Sequence, residues 1–536
     1  MTFRKLRLIA LGVSAAAILG SPTAVSAQAV EPVGVDGALY LQNKLQEIIA
    51  QPNMGMTASG EVEVEAAGNY YAVTLPHIRL DIPTPPSQQQ PKGGKFSFDF
   101  GIAAMNMVPT EVKGRYVFAQ SLPTPWRFYT NDQEIFRLSI GKQKTNGIYD
   151  LPMNLATRLE AQYDNIVLTD AKTGKPVLAI DSVTGKGGYD EKKPGLYSGR
   201  LPIEVNGIKL YGGTTEPFLT VDKLKIYSGY TDLSRENMIK CVGQMQRVNK
   251  QIQSYVKTEQ IVDPPVIAGY LDNALACMGI LADGMEGGIV VEGVKVGPGL
   301  AAAAGMQNVS LNSLYMQSFF TDIFKEKMGI AMKFGAQNLN MQPRPPGFSD
   351  YAPNSFHVDI GVDNVPHAKL HEIVRGILGM YSQDAESLTA NPAMIMMQVM
   401  TRLPQILNEA QSGFVANDVR ISGKDWQAVL KGRVQSDINA IYGASGQGTL
   451  VFQNMDMLLK QIKAEAQDPN NPNAMGMMQI IAPLEMLHGL GKSDDKNGRI
   501  FEFEFTQQGN LMLNGQSVQQ LLMPQAQQMQ PAPAAQ

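Results

Sequence analysis

The chain is poor in charge, in cysteine and in histidine, and each shortage excludes something. Only 18% of its 536 residues are charged and the formal net charge is -4, where soluble domains usually carry roughly 25% charged residues. With 44% hydrophobic residues and so little net charge, the chain buries apolar surface and is not wholly disordered. No strongly basic balance exists to neutralise phosphates, which excludes nucleic acid as the main partner. Two cysteines cannot build a disulfide-dense scaffold or a four-thiolate zinc site. Past the N-terminal segment no stretch has roughly 18 uninterrupted apolar residues, so no transmembrane span is expected after that segment is removed.

What is present begins at the N-terminus. Arg4, Lys5 and Arg7 precede an apolar run from Leu8 to Gly20, and Val25-Ser26-Ala27 or Ala27-Gln28-Ala29 offers small residues for cleavage. This pattern predicts a secretory signal peptide over residues 1–29 and a periplasmic location, with a retained anchor as the alternative.

Short segments recur along the chain. Leu39-Tyr40-Leu41-Gln42 resembles Leu314-Tyr315-Met316-Gln317, residues 83–102 resemble 343–362, and Asn165-Ile166-Val167-Leu168 resembles Asp418-Val419-Arg420-Ile421. A duplication is expected, with copies at 30–231 and 286–518. Period-two alternation in Phe96-Ser97-Phe98-Asp99-Phe100, Phe356-His357-Val358-Asp359-Ile360, Glu61-Val62-Glu63-Val64-Glu65 and Phe501-Glu502-Phe503-Glu504-Phe505 predicts antiparallel sheets with one wet face. Asn206-Gly207 and Asn514-Gly515 suit tight turns. Helical spacing appears at 37–51, 312–327, 367–381, 391–411 and 472–489. The expected fold class is α+β, two duplicated domains of antiparallel sheet covered by amphipathic helices and joined by a helical hairpin.

That hairpin is read over 232–285, with Asp263 as helix cap and Pro264 opening the second helix. Cys241 and Cys277 lie symmetrically about residue 259, so an antiparallel pair brings them side by side and a disulfide is expected. The tail from residue 519 is rich in Gln, Pro and Ala and is expected to be disordered.

Familiar site motifs are incomplete. Gly491-Lys492-Ser493 follows a helix instead of opening one and reads as a charged turn. Gly297-Pro298-Gly299 lacks the third glycine of a dinucleotide loop, and Gly443-Ala444-Ser445-Gly446-Gln447 misses the nucleophile elbow at its last position. His367 and His371, with Glu372, His357, Asp359 and Asp363 nearby, have residue types that bind zinc or copper, but the order is not that of a zinc helix. They read as a solvated polar face. No catalytic residue, metal site or cofactor is assigned.

Methionine is the unusual abundance. Met394, Met396, Met397 and Met400 on one helix are echoed by Met475, Met477 and Met478 on another. Thioether clusters suit core packing, a deformable apolar groove or soft copper. These seven residues are the candidates for an apolar-ligand site.

The ending Phe501-Glu502-Phe503-Glu504-Phe505, followed by Gly509-Asn510-Leu511-Met512-Leu513-Asn514-Gly515, resembles the last hairpin of the YdgA-like exported proteobacterial proteins of unknown function. Tyr163-Asp164-Asn165-Ile166 resembles strands of a related family of envelope proteins. The resemblance implies an envelope protein with a distant likeness to the AsmA type that handles lipid. The expected function is therefore non-enzymatic binding of a lipid or other hydrophobic envelope component. The alternative is an envelope scaffold that binds a protein partner, with a copper binder or a hydrolase as further readings.

Overall fold

Alternation with a period of two governs most of the chain. The computed structural model describes residues 32–49, 56–84, 94–257, 263–303, 305–342, 351–383, 392–468, 474–494 and 498–520. The expected signal peptide, and the tail beyond residue 520, lie outside these residues. The principal helices are α1 (Val35–Ile49), α2 (Arg235–Lys257), α3 (Pro264–Leu281), α4 (Pro298–Ala303), α5 (His367–Gln383), α6 (Pro392–Ala410), α7 (Met455–Ala466) and α8 (Ala474–Leu490). The strands of the first part are β1 (Met56–Ser59), β2 (Glu63–Ala67), β3 (Tyr70–Thr74), β4 (His77–Thr84), β5 (Gly94–Gly101), β6 (Ala104–Pro109), β7 (Arg115–Ser121) and β8 (Trp126–Thr130). Long strands follow: β9 (Gln133–Asp150), β10 (Leu155–Asp170), β11 (Pro176–Lys193), β12 (Leu196–Tyr211), β13 (Pro217–Ser234) and β14 (Gly284–Val296). The rest are β15 (Asn308–Thr321), β16 (Met328–Gln337), β17 (Asn340–Gln342), β18 (Ser355–Val365), β19 (Gly413–Gly423), β20 (Trp426–Ser436), β21 (Ala444–Gln453), β22 (Lys492–Asp494), β23 (Gly498–Phe505), β24 (Leu511–Leu513) and β25 (Gln516–Ser517).

This architecture corrects the expected fold class. The described strands belong to one 25-stranded sheet with antiparallel pairings, not to two small sheets each covered by helices. Residues 312–327, expected as a helix, form β15 and the turn after it. The segment carries apolar side chains on both faces of a strand, Leu314, Met316 and Phe320 on one and Leu311, Tyr315 and Phe319 on the other, which imitates helical spacing. Its presumed counterpart, Leu39–Gln42, lies on α1, so that match is not a structural equivalence. Helices α2 and α3 form where expected, and the chain divides into two compact units, residues 1–262 with 289–299 and residues 263–288 with 300–536.

In the first unit, β9 is long enough to carry two partners on one edge. Its first half pairs with β8 and its second with β7. From these spring two four-strand wings, β8-β5-β4-β1 and β7-β6-β3-β2. Ala38, Leu41 and Leu45 form the buried stripe of α1. They share one core with Phe98 and Trp126 of one wing and Tyr71, Met107 and Phe118 of the other.

The other edge of β9 begins a ladder of long strands with an uncommon regularity. Ile140, Ile166, Ile180, Ile208 and Val221 pair in a row across β9 to β13, and the next apolar-face row is Gln143, Tyr163, Val183, Val205 and Leu224. Within each strand these two positions are three residues apart where alternation demands two. All five strands therefore slip by one residue at the same height, a crease across the sheet that keeps one face apolar on both sides of it. The crease is marked by left-handed residues: Asn165 at φ 54, Gly207 at φ 65 and, on β14, Gly293 at φ 66. Asn206-Gly207, expected as a turn, is thus a mid-strand kink, whereas Asn514-Gly515 does turn between β24 and β25.

Two of these kinks share a side-chain arrangement. A Cβ on Gly207 would meet Asp181 Oδ2 at 2.0 Å, and one on Gly293 would meet Asp222 Oδ2 at 2.0 Å. Each aspartate also reaches a lysine two residues past the glycine, Lys209 Nζ at 2.8 Å and Lys295 Nζ at 3.4 Å. Gly207→Ala combines a left-handed backbone with this contact and is expected to destabilise by about 1–3 kcal/mol. Denaturation midpoints measure it, with Gly212→Ala, whose Cβ would meet only Phe218 Cδ1 at an ordinary 3.5 Å, as the neutral comparison.

A charged knot ties this ladder to α2. Asp150, at the end of β9, is fully buried. Its carboxylate accepts from Arg235 Nε at 2.8 Å, Arg235 Nη2 at 3.3 Å and Met153 N at 3.2 Å, and Arg115 Nε stands 3.5 Å away. Arg115 also bonds the Tyr197 hydroxyl, which donates to Glu191 at 3.0 Å. The Gly195 amide, together with Tyr197, holds the Glu191 carboxyl below its ordinary range.

The second unit is an antiparallel meander, β15-β16-β18-β19-β20-β21-β23, in which each strand pairs with the next. Two helix pairs are inserted between adjacent strands, α5-α6 between β18 and β19 and α7-α8 between β21 and β23. β19 slips once, at Asn417, against partners that keep step. This is the segment whose sequence resembles the Asn165 kink.

Candidate functional site

Strand register in the second unit assigns every side chain to a face. Leu314 and Met316 on β15 lie across from Ala336 and Phe334 on β16, which lie across from Phe356 and Val358 on β18. The same face continues through Ile360 and Val362, then Phe414, Val419 and Ile421 on β19, then Leu430 and Val434 on β20. It ends with Leu450 and Phe452 on β21 and Phe501 and Phe503 on β23.

The two ends of this face differ in what covers them. At the β21-β23 end, α7 and α8 lay Met455, Leu458, Ile462 and Met477 onto Phe452 and Phe501, and Phe501 is 0% exposed. At the β15-β20 end the same row of apolar side chains meets solvent: Met316 is 57% exposed and Phe414 48%, and Leu314, Phe356, Val362, Ile421 and Val434 are exposed as well. From Phe356 to Val362 the patch runs about 20 Å along the strand, and its five strands span about 19 Å. Single exposed apolar residues are ordinary, but a contiguous patch of this size marks an interaction surface.

The opposite face is polar and internally paired. Lys333 stands 2.9 Å from Asp359, which also accepts from Asn417 Nδ2 at 3.1 Å. Arg420 pairs with Asp418 at 2.6 Å, and Tyr315 bonds His357. Most of these groups are paired with one another, although Asp418 Oδ1 is buried with no hydrogen-bond partner among the described residues.

The sequence candidates distribute unevenly. The side chains of Met394, Met396, Met397 and Met400 lie outside the described residues. On α8, Met477 is buried in the core while Met475, Met478 and Met486 face solvent. One helix thus splits the methionines between packing and surface. Both cysteines, Cys241 and Cys277, are disulfide-bonded.

His77, His357, His371 and His488 each meet a carboxylate, whereas the buried His367 Nδ1 has no hydrogen-bond partner among the described residues. His371 meets Asp272 of α3 at 3.0 Å, and Arg375 Nε donates to the same carboxylate at 2.9 Å. Arg375 first, then His371, hold the Asp272 carboxyl below its ordinary range. Among the described residues no three His, Cys, Asp or Glu side chains converge as a metal site would require, and no helix is long and apolar enough to cross a membrane.

One constellation was not visible in the sequence. Ser59 Oγ lies 3.4 Å from His77 Nδ1, and His77 Nε2 lies 2.7 Å from Asp99 Oδ1. Ser59 and His77 are directly opposite in the β1-β4 register. Ser59 Oγ also stands 3.5 Å from the His77 carbonyl, so its long contact to the ring is that of an exposed cross-strand pair. What could have found it is the strand pairing, which two short segments 18 residues apart do not announce.

No family model, curated protein or solved structure matches the chain. The functional reading therefore rests on the open face and on the sequence.

Proposed function

We propose that this protein is a non-enzymatic periplasmic protein of the cell envelope that holds a lipid or another apolar ligand on the open face of its second unit. The observation that carries the reading is the half-covered sheet: one apolar face, sealed by α7 and α8 at one end and open to solvent over β15 to β20. Its dimensions of about 20 Å by 19 Å suit alkyl chains laid along the strands. The exposed methionines of α8 add deformable apolar surface to the same unit. The N-terminal segment and the resemblance to YdgA-like and AsmA-like exported proteins agree with an envelope role.

Protein recovered from its own host is expected to carry lipid, detected by native mass spectrometry and by organic extraction. Phe414→Glu places a charge where apolar contact is needed and is expected to lower bound lipid by about tenfold or more, while the denaturation midpoint stays near that of the wild type. Reproducible absence of lipid, with no change on delipidation, overturns the reading.

A second reading, a scaffold for a protein partner, is favoured by α3. Ile267, Leu271 and Met278 are exposed along one stripe at helical spacing, the pattern that docks a partner helix. A specific partner lost on Leu271→Glu, with no lipid found on the wild-type protein, decides for the scaffold.

A further inference from the structure

The loop Asp437–Gly443 between β20 and β21 carries three strongly exposed large apolar side chains: Ile438 at 57%, Ile441 at 71% and Tyr442 at 71%. Exposure of this degree usually means a loose loop, and this one is tightly held. The backbone N–H of Asp437 donates to the Gly443 carbonyl at 3.0 Å, that of Ala440 to Asp437 at 3.1 Å, and that of Gly443 to Ala440 at 2.9 Å. The N–H of Ile438 donates to Asn408 Oδ1 at 3.0 Å and that of Asn439 to Asp437 Oδ1 at 3.0 Å. The N–H of Ile441 crosses to the neighbouring turn, donating to the Gln507 carbonyl at 2.9 Å.

The side chains are fixed in the same way. Asp437 is buried, and its carboxylate accepts from Gln507 Nε2 at 2.8 Å and Ser445 Oγ at 3.2 Å. The Tyr442 ring stacks on Phe505 with centroids 6.0 Å apart, and it lies against Gly509, where an added Cβ would meet it at 2.4 Å. Residues 438–445 and 505–511 contain no Lys, Arg, Asp or Glu.

We infer that this tip inserts into the interfacial layer of a lipid bilayer. Entering a medium without water is costly for unpaired backbone groups and for charge. Six of the seven amides from Asp437 to Gly443 are paired and the one carboxylate is enclosed, so two isoleucines and a tyrosine enter at reduced polar cost. Tyrosine is the residue favoured at headgroup depth, apolar in body and polar at its end. A protein partner would instead be expected to find about one hydrogen bond per 100–200 Å², and this tip has spent most of its backbone donors internally. Insertion of this kind needs no anionic headgroup, because there is no basic side chain to attract one. The open sheet face reaches the same end, through Val434 and Leu511, although insertion does not depend on a ligand being held there.

The test is vesicle flotation of the chain as its cell processes it, with vesicles of dioleoylphosphatidylcholine. The wild type is expected to float with the vesicles and to keep doing so at about 0.5 M NaCl, where charge attraction is screened. Ile441→Asp is expected to weaken partitioning by about tenfold or more. Tyr442→Trp, at the same exposed site, is expected to bind and to shift its emission to the blue on vesicles. Absence of wild-type flotation, flotation lost in salt, or flotation unchanged by Ile441→Asp each overturns the inference. So does a wild type that stays off the vesicles and self-associates through the tip, read by sedimentation velocity against Ile441→Asp. A wild type that floats while carrying no extractable lipid supports insertion and removes only the ligand reading.

Discussion

Asp150→Ala is expected to destabilise the first unit by about 3–5 kcal/mol. The carboxylate is fully buried between two guanidinium groups, and its removal leaves Arg115 and Arg235 close together with only the more distant Glu191, 3.9 Å from Arg115, as counter-charge. The cost is that of uncompensated buried charge, which exceeds the worth of the hydrogen bonds lost. Arg235 opens α2, and its partner Asp150 closes β9, so the loss should also free the start of that helix from the ladder. Urea denaturation followed by far-ultraviolet circular dichroism measures the effect. Asp150→Ala combined with Arg235→Met is expected to recover part of the loss, because the second change removes one unpaired cation. If the double variant is no more stable than the single one, burial of charge is not the cause.

Phe501→Ala is expected to cost the second unit about 3–5 kcal/mol. The ring lies at the centre of the covered end of the sheet, with Phe452 and Leu513 beside it and α7 and α8 above. Truncation leaves a cavity that rigid neighbours on a sheet and two helices close only in part. Met478→Ala, on the exposed side of α8, is expected to stay within about 0.5 kcal/mol of the wild type. The contrast, read from the same denaturation curves, measures how far the cover extends. A small loss at Phe501 would mean that the helices do not seal that end.

The strands with aromatic alternation were legible because each period-two run is long enough to state its own geometry, as in Phe96–Phe100 and Phe501–Phe505. The helices at 37–51, 367–381, 391–411 and 472–489 were legible by their spacing for the same reason. The ladder β9 to β13 was not, because its alternation breaks once in every strand. Over a short window Ile180 and Val183, three residues apart, look like a helical pair, and Asn206-Gly207 looks like the end of a hairpin. Only the pairing of five such breaks at one height reveals a crease. β15 failed differently, since apolar residues on both of its faces erase the signal.

The site was half legible. Alternation in Phe356–Ile360 declares an apolar face, but sequence cannot say whether something lies on it. That depends on where α7 and α8 end, several strands away. Methionine abundance pointed to α8, yet Met477 serves the core and only its neighbours remain outside. The tip at Ile438–Tyr442 was not legible, because its short run of apolar residues gains meaning from the hydrogen bonds of Gln507 and Asn408.

The crease also bears on how so long a ladder finds its register. Strict alternation is blind to a slip of two residues, since every apolar side chain would still land on the apolar face. Strands of 16 to 18 residues offer several such slips. A break in the alternation at one height removes that degeneracy. A strand displaced by two would set its break in alternation beside an unbroken stretch of its neighbour and turn part of its apolar row outward. Asp181 would then lose Lys209, and Asp222 would lose Lys295. The shared breaks act as the teeth of a key, by which each new strand is checked against the one before it.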